Sequence, residues 1–338
     1  MKRRAIWIVL LATMACRDGK ETRIQRFLIQ GNEMAAKQNS AEAKRYYKEA
    51  IRLDSCFADA WNNLGTVYYR EKDFAQALEC YNRTLECHSA FSIAYLNRSN
   101  VFYELDKPEF ALRDIDAFAK YKPDTSIVFF SRGLIYTRMR KFDLAAHQLR
   151  LAFKRDPSNA EMPVNLGTVY FYKKDYDSAH YWLDQALALA PRESNIYNTR
   201  ALIEAEQGSP DAAMTDINKA LALRKNDPYY LNNRGYLFLL KGDLPAALAD
   251  IDASIGEDPY NAWAYRNKGL YFLKMNDVTS ALHMLERASK MDPFLDRINF
   301  YLGEAYRQKG EKSTACEHYR RAVQQAEIAE DTFRKLCP

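Results

Sequence analysis

Small and apolar residues recur along the chain with one fixed spacing. Every thirty-fourth residue from position 43 to 315 is alanine, and twelve residues before each alanine lies a glycine, serine or alanine. We call the second set the small column: Gly31, Gly65, Ser99, Gly133, Gly167, Ala201, Gly235, Gly269 and Gly303. Small side chains at a helix crossing allow two backbones to approach closely. The register is unbroken from about 24 to 329 and predicts nine equivalent units.

Larger apolar residues follow the small column at helical spacing. An aromatic residue stands three positions after it in seven units: Tyr68, Phe102, Tyr136, Tyr170, Phe238, Phe272 and Tyr306. Further apolar residues stand sixteen positions after it: Tyr47, Tyr81, Ile115, Leu149, Leu183, Ile217, Ile251, Leu285 and Tyr319. Apolar residues on one helical face indicate two amphipathic helices in each unit.

Polar residues and prolines mark the ends of the predicted helices. Candidate N-caps precede six of the second helices: Asn39, Asp73, Asp175, Ser209, Asp243 and Asp277. Pro108 and Pro210 fall in the first turn of a second helix, where proline is tolerated. Other prolines recur where a second helix ends: Pro123, Pro157, Pro191, Pro259 and Pro293. Each unit is therefore predicted to be a helix, a turn, a second helix and a stop.

The segment 61–85, WNNLGTVYYREKDFAQALECYNRTL, resembles the tetratricopeptide repeat consensus. The matching positions are Trp61, Leu64, Gly65, Tyr68, Ala77 and Tyr81. The resemblance implies an all-α fold, a right-handed superhelical solenoid of nine tetratricopeptide helix-turn-helix repeats over residues 24–329. In this family the first helices line a concave groove that binds protein segments. Residues 330–338 are expected to form a C-terminal capping segment.

The N-terminus has the pattern of an export signal. Cations at positions 2–4 precede the apolar run AIWIVLLA at 5–12, which is too short to span a membrane as a stable helix. Thr13-Met14-Ala15-Cys16 resembles the lipobox of bacterial lipoproteins, although leucine is usual where Thr13 stands. The resemblance implies a signal peptide over 1–15, a lipidated Cys16, and a short tether over 16–23. An ordinary secretory signal with an incidental Cys16 is the alternative.

The expected location follows from the same resemblance. Position 17 is arginine rather than aspartate, which favours the outer membrane over the inner membrane in many Gram-negative bacteria. We therefore expect an outer-membrane lipoprotein that faces the periplasm. The anchor would be acyl chains on Cys16, without a spanning helix.

Charge and residue chemistry argue against nucleic acid and against catalysis. Removal of the cations at positions 2–4 lowers the net charge from +5 to +2, and the chain has no basic run. The five histidines show no paired metal-ligand spacing, and the sequence has neither a glycine-rich phosphate loop nor a nucleophile elbow. We expect a protein that is not an enzyme and that needs neither a cofactor nor a metal.

Arginines next to the small column pair with aspartates. An arginine one position before the small column is matched by an aspartate sixteen residues later in three units. The predicted pairs within one hairpin are Arg98–Asp114, Arg200–Asp216 and Arg234–Asp250. Because these arginines occur in units whose second helix carries the aspartate, we expect the pairs to have a structural role.

A polar column stands two residues before the small column. Its members are Asn63, Asn97, Ser131, Asn165, Thr199, Asn233 and Asn267. It resembles the asparagine ladder of the tetratricopeptide superhelix in O-linked N-acetylglucosamine transferase, which implies contacts to a peptide backbone. An amide can donate and accept hydrogen bonds at once. The alternative is that these asparagines serve local hydrogen bonding.

Aromatic and basic residues gather in the last three units. We expect Tyr229, Tyr236, Trp263, Arg266 and Phe300 to line the same groove as a binding hot spot. Packing between adjacent repeats is the alternative for some of them. The predicted partner is an extended peptide or helix of a cell-envelope protein. A glycan- or peptide-binding carrier or sensor that uses this aromatic end is the second hypothesis.

Five cysteines lie beyond Cys16. Cys56 and Cys87 end adjacent repeats and are candidates for a disulfide. We nevertheless expect buried free thiols, because free cysteine packs well as a small apolar residue.

Overall fold

The computed structural model describes residues 19–337, which form nineteen α-helices and no strand. In chain order they are α1 (Lys20–Ala36), α2 (Ser40–Leu53), α3 (Ala58–Arg70), α4 (Phe74–Cys87), α5 (Ser92–Glu104), α6 (Pro108–Ala119), α7 (Ser126–Arg138), α8 (Phe142–Arg155), α9 (Glu161–Tyr172), α10 (Tyr176–Leu189), α11 (Ser194–Glu206), α12 (Pro210–Leu223), α13 (Pro228–Lys241), α14 (Leu244–Glu257), α15 (Ala262–Lys274), α16 (Val278–Met291), α17 (Ile298–Lys309), α18 (Lys312–Gln324) and α19 (Glu330–Leu336).

Helices α1 to α18 pair into nine antiparallel hairpins, which confirms the predicted all-α repeat fold. The small column lies where the two helices of a hairpin cross. A Cβ atom placed on Gly167 would lie 2.6 Å from Cγ of Leu183, sixteen residues later. Because Leu183 is fully buried, a larger residue at the crossing would force the helices apart. Helix α1 begins at Lys20, four residues before the repeat register starts at 24.

The chain divides into two compact units, at residue 155. The N-terminal unit (19–155) contains hairpins one to four, and the C-terminal unit (156–337) contains hairpins five to nine with α19. First helices of consecutive hairpins contact one another from α1 to α5 in the N-terminal unit and from α9 to α17 in the C-terminal unit. Among the described residues no pair of second helices makes a comparable contact. The first helices therefore form the concave face of each unit.

The predicted helix starts are confirmed where an aspartate or asparagine is the cap. The side chain of Asp73 accepts a hydrogen bond from the backbone N–H of Gln76, and Asn39 does the same for Glu42. Pro108 and Pro210 occupy the first turn of α6 and α12, as expected.

The disulfides correct the expectation of free thiols. Cys56 bonds to Cys87, with 5.2 Å between their Cα atoms, and Cys316 bonds to Cys337. The first pair forms because the loop after α2 and the end of α4 lie side by side in consecutive hairpins. The expectation is right for Cys80, which is buried and free, and burial raises the pKa of its thiol to about 12.

The predicted signal peptide (1–15) and Cys16 lie outside the described residues. None of the helices over residues 19–337 combines the length and the apolar character that a membrane crossing requires. The predicted capping segment contains α19, which follows the last hairpin.

Candidate partner-binding surface

The asparagine column of the N-terminal unit is part of a continuous hydrogen-bonded chain. Asn97 donates from Nδ2 to Oδ1 of Asn62 at 2.9 Å, and Asn62 donates to Asn63 at 3.1 Å. Asn63 in turn donates to Oδ1 of Asn32 at 2.9 Å, an oxygen that also accepts from the hydroxyl of Tyr47. These bonds connect α5, α3 and α1 on the concave face and fix the register of consecutive first helices.

An equivalent chain connects first helices of the C-terminal unit. Asn267 donates to Oδ1 of Asn232 at 2.8 Å, and Asn232 donates to Asn233 at 3.2 Å. Asn233 donates to Oδ1 of Asn198 at 2.8 Å, which links α15, α13 and α11. Asn165 differs, because its amide donates to the backbone oxygen of Glu161 in its own helix.

The asparagines therefore serve local hydrogen bonding, the second interpretation of the column. Asn63, Asn97 and Asn233 are only half-buried, and each amide has a second N–H and a second lone pair. Asn267 is 1% exposed. A role in partner binding stays a prediction for all of them.

The three Arg–Asp pairs are confirmed. Arg98 holds both carboxylate oxygens of Asp114, at 2.8 and 2.7 Å, and its Nη1 donates to Asn82 of the preceding hairpin. Arg234 makes the same bidentate contact, and Arg200 lies 3.0 Å from Asp216. The guanidinium groups of Arg98 and Arg234 each join three helices, and that of Arg200 joins two. The three arginines therefore stabilise helix packing.

The predicted aromatic residues of the last three hairpins form one packed cluster. Trp263, Tyr236 and Phe300 are half-buried against the core of hairpins seven to nine. Arg266 is 6% exposed, and its guanidinium carbon lies 4.6 Å from the ring centre of Trp263 and 5.7 Å from that of Tyr236. Burial raises the pKa of Tyr236 to about 12. Tyr229 differs from these residues, because its side chain is half-exposed at the start of α13.

Two exposed isoleucines on the concave face were not among the predicted site residues. Ile93 is 41% exposed and Ile127 is 43% exposed, in the first turns of α5 and α7. Ile93 lies one helical turn before Asn97 and therefore on the same face, which contacts the preceding first helix. Both isoleucines stand six residues before the small column, as do Tyr229 and Trp263. Alignment of that column would have found them.

The described residues contain no group of three or more histidine, cysteine, aspartate or glutamate side chains placed to hold a metal ion. The side chains on the concave face of each unit are amides, aliphatic groups and aromatic groups. These groups suit the recognition of a polypeptide by hydrogen bonds and apolar contact.

Several known proteins share this architecture. Among solved structures, a chain of the Cut9–Hcn1 hetero-tetramer of APC/C aligns with a TM-score of 0.63 and 16% identity, over 95% of this chain and 63% of that chain. The human IFIT1 dimer with m7Gppp-AAAA aligns with a TM-score of 0.64 and 16% identity, over 93% and 81%. PilF of Pseudomonas aeruginosa aligns with a TM-score of 0.54 and 18% identity, over 63% and 96%. At these identities the likeness concerns the fold alone.

The present chain thus spans less than two thirds of the Cut9–Hcn1 chain that it matches. No curated protein matches the sequence. Tetratricopeptide repeat models match residues 58–89, 130–194, 198–262 and 266–329. Together with the hairpins and their 34-residue register, these matches show that the chain belongs to the tetratricopeptide repeat family.

Proposed function

We propose that the protein is a membrane-tethered scaffold that holds an extended segment or a helix of a cell-envelope protein against its concave face. The tetratricopeptide fold is suited to protein–protein interaction. The partner's envelope location and the tether through Cys16 are proposals that rest on the export-like N-terminal sequence.

The exposed pair Ile93 and Ile127 carries the proposal. The two side chains lie in the same position of consecutive first helices, and each leaves more than two fifths of its surface in water. Covering one such side chain with a partner would contribute on the order of 1 kcal/mol through burial of apolar surface. Exposed apolar residues that recur at one position of consecutive first helices suit contact with a partner on the concave face. The half-buried amides of Asn63 and Asn97 lie on the same surface and can bond to a partner backbone.

The two disulfides support the export part of the proposal. Disulfides persist in oxidising compartments such as the bacterial periplasm and are rare in the cytosol.

The lipid anchor on Cys16 is tested by mass spectrometry of the mature N-terminal peptide. We expect a diacylated or triacylated Cys16, and Cys16→Ser should release the protein from the membrane fraction. An N-terminal peptide that begins elsewhere and carries no lipid would contradict the tether.

The binding surface is tested with a double variant. Ile93→Asp together with Ile127→Asp should weaken capture of the crosslinked envelope partner in living cells at least ~10-fold, since loss of about 1.4 kcal/mol changes affinity tenfold. Leu144→Asp is the matched control, because Leu144 is 47% exposed on the second helix α8. Equal losses in both variants, or none in either, would refute this surface. Unchanged helical content and melting would show that both variants fold.

The scaffold fits the structure better than the glycan carrier does. A carrier that stacks sugar rings needs open aromatic faces, but Arg266 already lies over the ring of Trp263, and of the four predicted aromatic residues Tyr229 alone is half-exposed. Tight binding of a small glycan by the purified protein, without a protein partner, would reverse this preference.

A further inference from the structure

An ion pair in the C-terminal unit joins two hairpins that are not neighbours. Nη2 of Arg297, just before α17 in hairpin nine, lies 3.3 Å from Oε2 of Glu206, the last residue of α11 in hairpin six. The two residues are 91 positions apart. In a solenoid each repeat normally contacts its neighbours only. This contact therefore spans the first helices of hairpins seven and eight, and Tyr236 of α13 lies within electrostatic range of both charges.

A late start of helix α17 positions Arg297. Helix α17 begins at Ile298, thirty-six residues after α15 begins, whereas the repeat is thirty-four residues long. The additional turn places Arg297 in the left-handed region at φ 58°. That conformation costs a residue with a side chain roughly 1 kcal/mol. The N-terminus of α17 lacks a cap of its own, and the carboxylate of Glu327 accepts from the backbone N–H of Phe300 instead.

The aromatic cluster contacts the segment that carries Arg297. The guanidinium of Arg266 is held by Oδ1 of Asn267 and by the backbone oxygen of Asp296, the neighbour of Arg297. Its carbon also lies 5.9 Å from the ring centre of Tyr301, which is 9% exposed. Arg266, which the sequence predicts to bind a partner, is therefore covered by contacts within the unit.

The ion pair is weak enough to open reversibly. It has a single contact at 3.3 Å, and its side chains are 35% and 27% exposed. Partly exposed pairs of this kind contribute under about 1 kcal/mol and are screened by salt. By contrast, the bidentate Arg98–Asp114 pair is shorter, and its aspartate is nearly buried.

We propose that the Arg297–Glu206 pair is a latch that closes the concave face of the C-terminal unit over Trp263 and Arg266. Opening of the latch gives a polypeptide partner access to this aromatic cluster. The access role rests on the proposed scaffold function, whereas the latch itself is a property of the free protein and is measurable without a partner.

Double electron–electron resonance on the full chain tests the latch. Spin labels are placed by Ala212→Cys in hairpin six and Gln308→Cys in hairpin nine, both exposed sites. Cys16→Ala and Cys80→Ala remove the other thiols and leave both disulfides intact. At low ionic strength we expect a short, narrow distance distribution. In about 1 M salt, where the Debye length is about 3 Å, the distribution should become longer and broader.

Glu206→Gln should produce that longer distribution at low salt. Asp252→Asn is the matched control, since it breaks the Lys268–Asp252 pair between consecutive hairpins and should leave the distance unchanged. The charge exchange Glu206→Arg with Arg297→Glu should restore the short distance. The latch would be overturned if Glu206→Gln left the spin-label distance distribution unchanged. It would also be overturned if Asp252→Asn lengthened the distance as much as Glu206→Gln does. Either result would leave partner binding through Ile93 and Ile127 untouched.

Discussion

At the scale of single residues, the helix crossings depend on what faces the small column. Gly167 faces Leu183, whose branch begins at Cγ, only 2.6 Å from the place of a Cβ on the glycine. Where the small residue is Ala201 or Ser99, the residue sixteen positions later is isoleucine, which branches at Cβ. Gly235 also faces an isoleucine, and a Cβ there would lie 2.8 Å from Cγ1 of Ile251, so an additional methyl group fits only if that side chain shifts.

Gly167→Ala should therefore lower the free energy of unfolding by about 1–3 kcal/mol through overpacking against Leu183. Addition of Leu183→Ile should recover part of that loss, as a double-mutant cycle in chemical denaturation can measure. Gly256→Ala is the control, because nothing lies within 4 Å of its added methyl group. It should raise stability by up to about 1 kcal/mol. If Gly167→Ala left the free energy of unfolding unchanged, or if its effect simply added to that of Leu183→Ile, overpacking against Leu183 would be contradicted.

Glu204 stands three positions after the small column, where seven other units have an aromatic residue. Its Oε2 and the Oδ2 of Asp216 are buried without hydrogen-bond geometry to a partner, although Arg200 lies 3.0 Å from Asp216. Burial raises the pKa of both carboxyls, with opposing contributions from Arg200 and His180. The charged carboxylates are therefore disfavoured in the folded state.

This environment predicts a pH dependence. A raised folded-state pKa contributes stability that is fully present below the unfolded value, near 4.3 for glutamate, and is lost as pH rises through the folded value. Glu204→Gln should melt close to the unsubstituted protein at pH 4 and at a higher temperature at pH 7.5. Calorimetry at the two pH values measures the difference. A variant that is less stable at pH 7.5 would show that the Glu204 carboxylate is stabilising.

At the scale of helices, the sequence predicts the capped starts of second helices, but it does not predict the late start of α17 or the position of the last segment. Asp73 and Asn39 cap second helices as expected, since their position in the repeat and their side-chain chemistry agree. The late start of α17 could not be predicted, because residues 293–297 show no local signal that distinguishes them from other loops. The Cys316–Cys337 bond depends on where the last segment folds back, which lies beyond the repeat register.

Helix α19 has seven residues, none of them buried, and should depend on that disulfide. Helices this short are not stable alone. Replacement of Cys316 and Cys337 by alanine should therefore expose residues 330–337 to fast hydrogen exchange, while α17 and α18 stay protected. Replacement of Cys56 and Cys87 should leave α19 unchanged and loosen hairpins one and two. Slow exchange of α19 without its disulfide would contradict this dependence.

At the scale of the whole molecule, the repeat register predicted the hairpins but only part of the candidate site. The register fixes which residues lie on first helices, so Asn97 and Trp263 were placed on the correct helices. It does not show exposure, because Arg266 is buried by partners that lie up to thirty-five residues away in sequence. Ile93 and Ile127 were missed because aliphatic residues on an amphipathic helix are expected in the core.

We propose that the concave first-helix face binds a polypeptide of the cell envelope. Site-specific photo-crosslinking in living cells tests this binding, with a photoreactive residue in place of Ile127 or Ile93, or of Leu144 on the second helix α8 as a control. We expect one and the same protein adduct from positions 93 and 127, identified by mass spectrometry, and none from position 144. No protein adduct at 93 and 127, or an equal yield at 144, would contradict it.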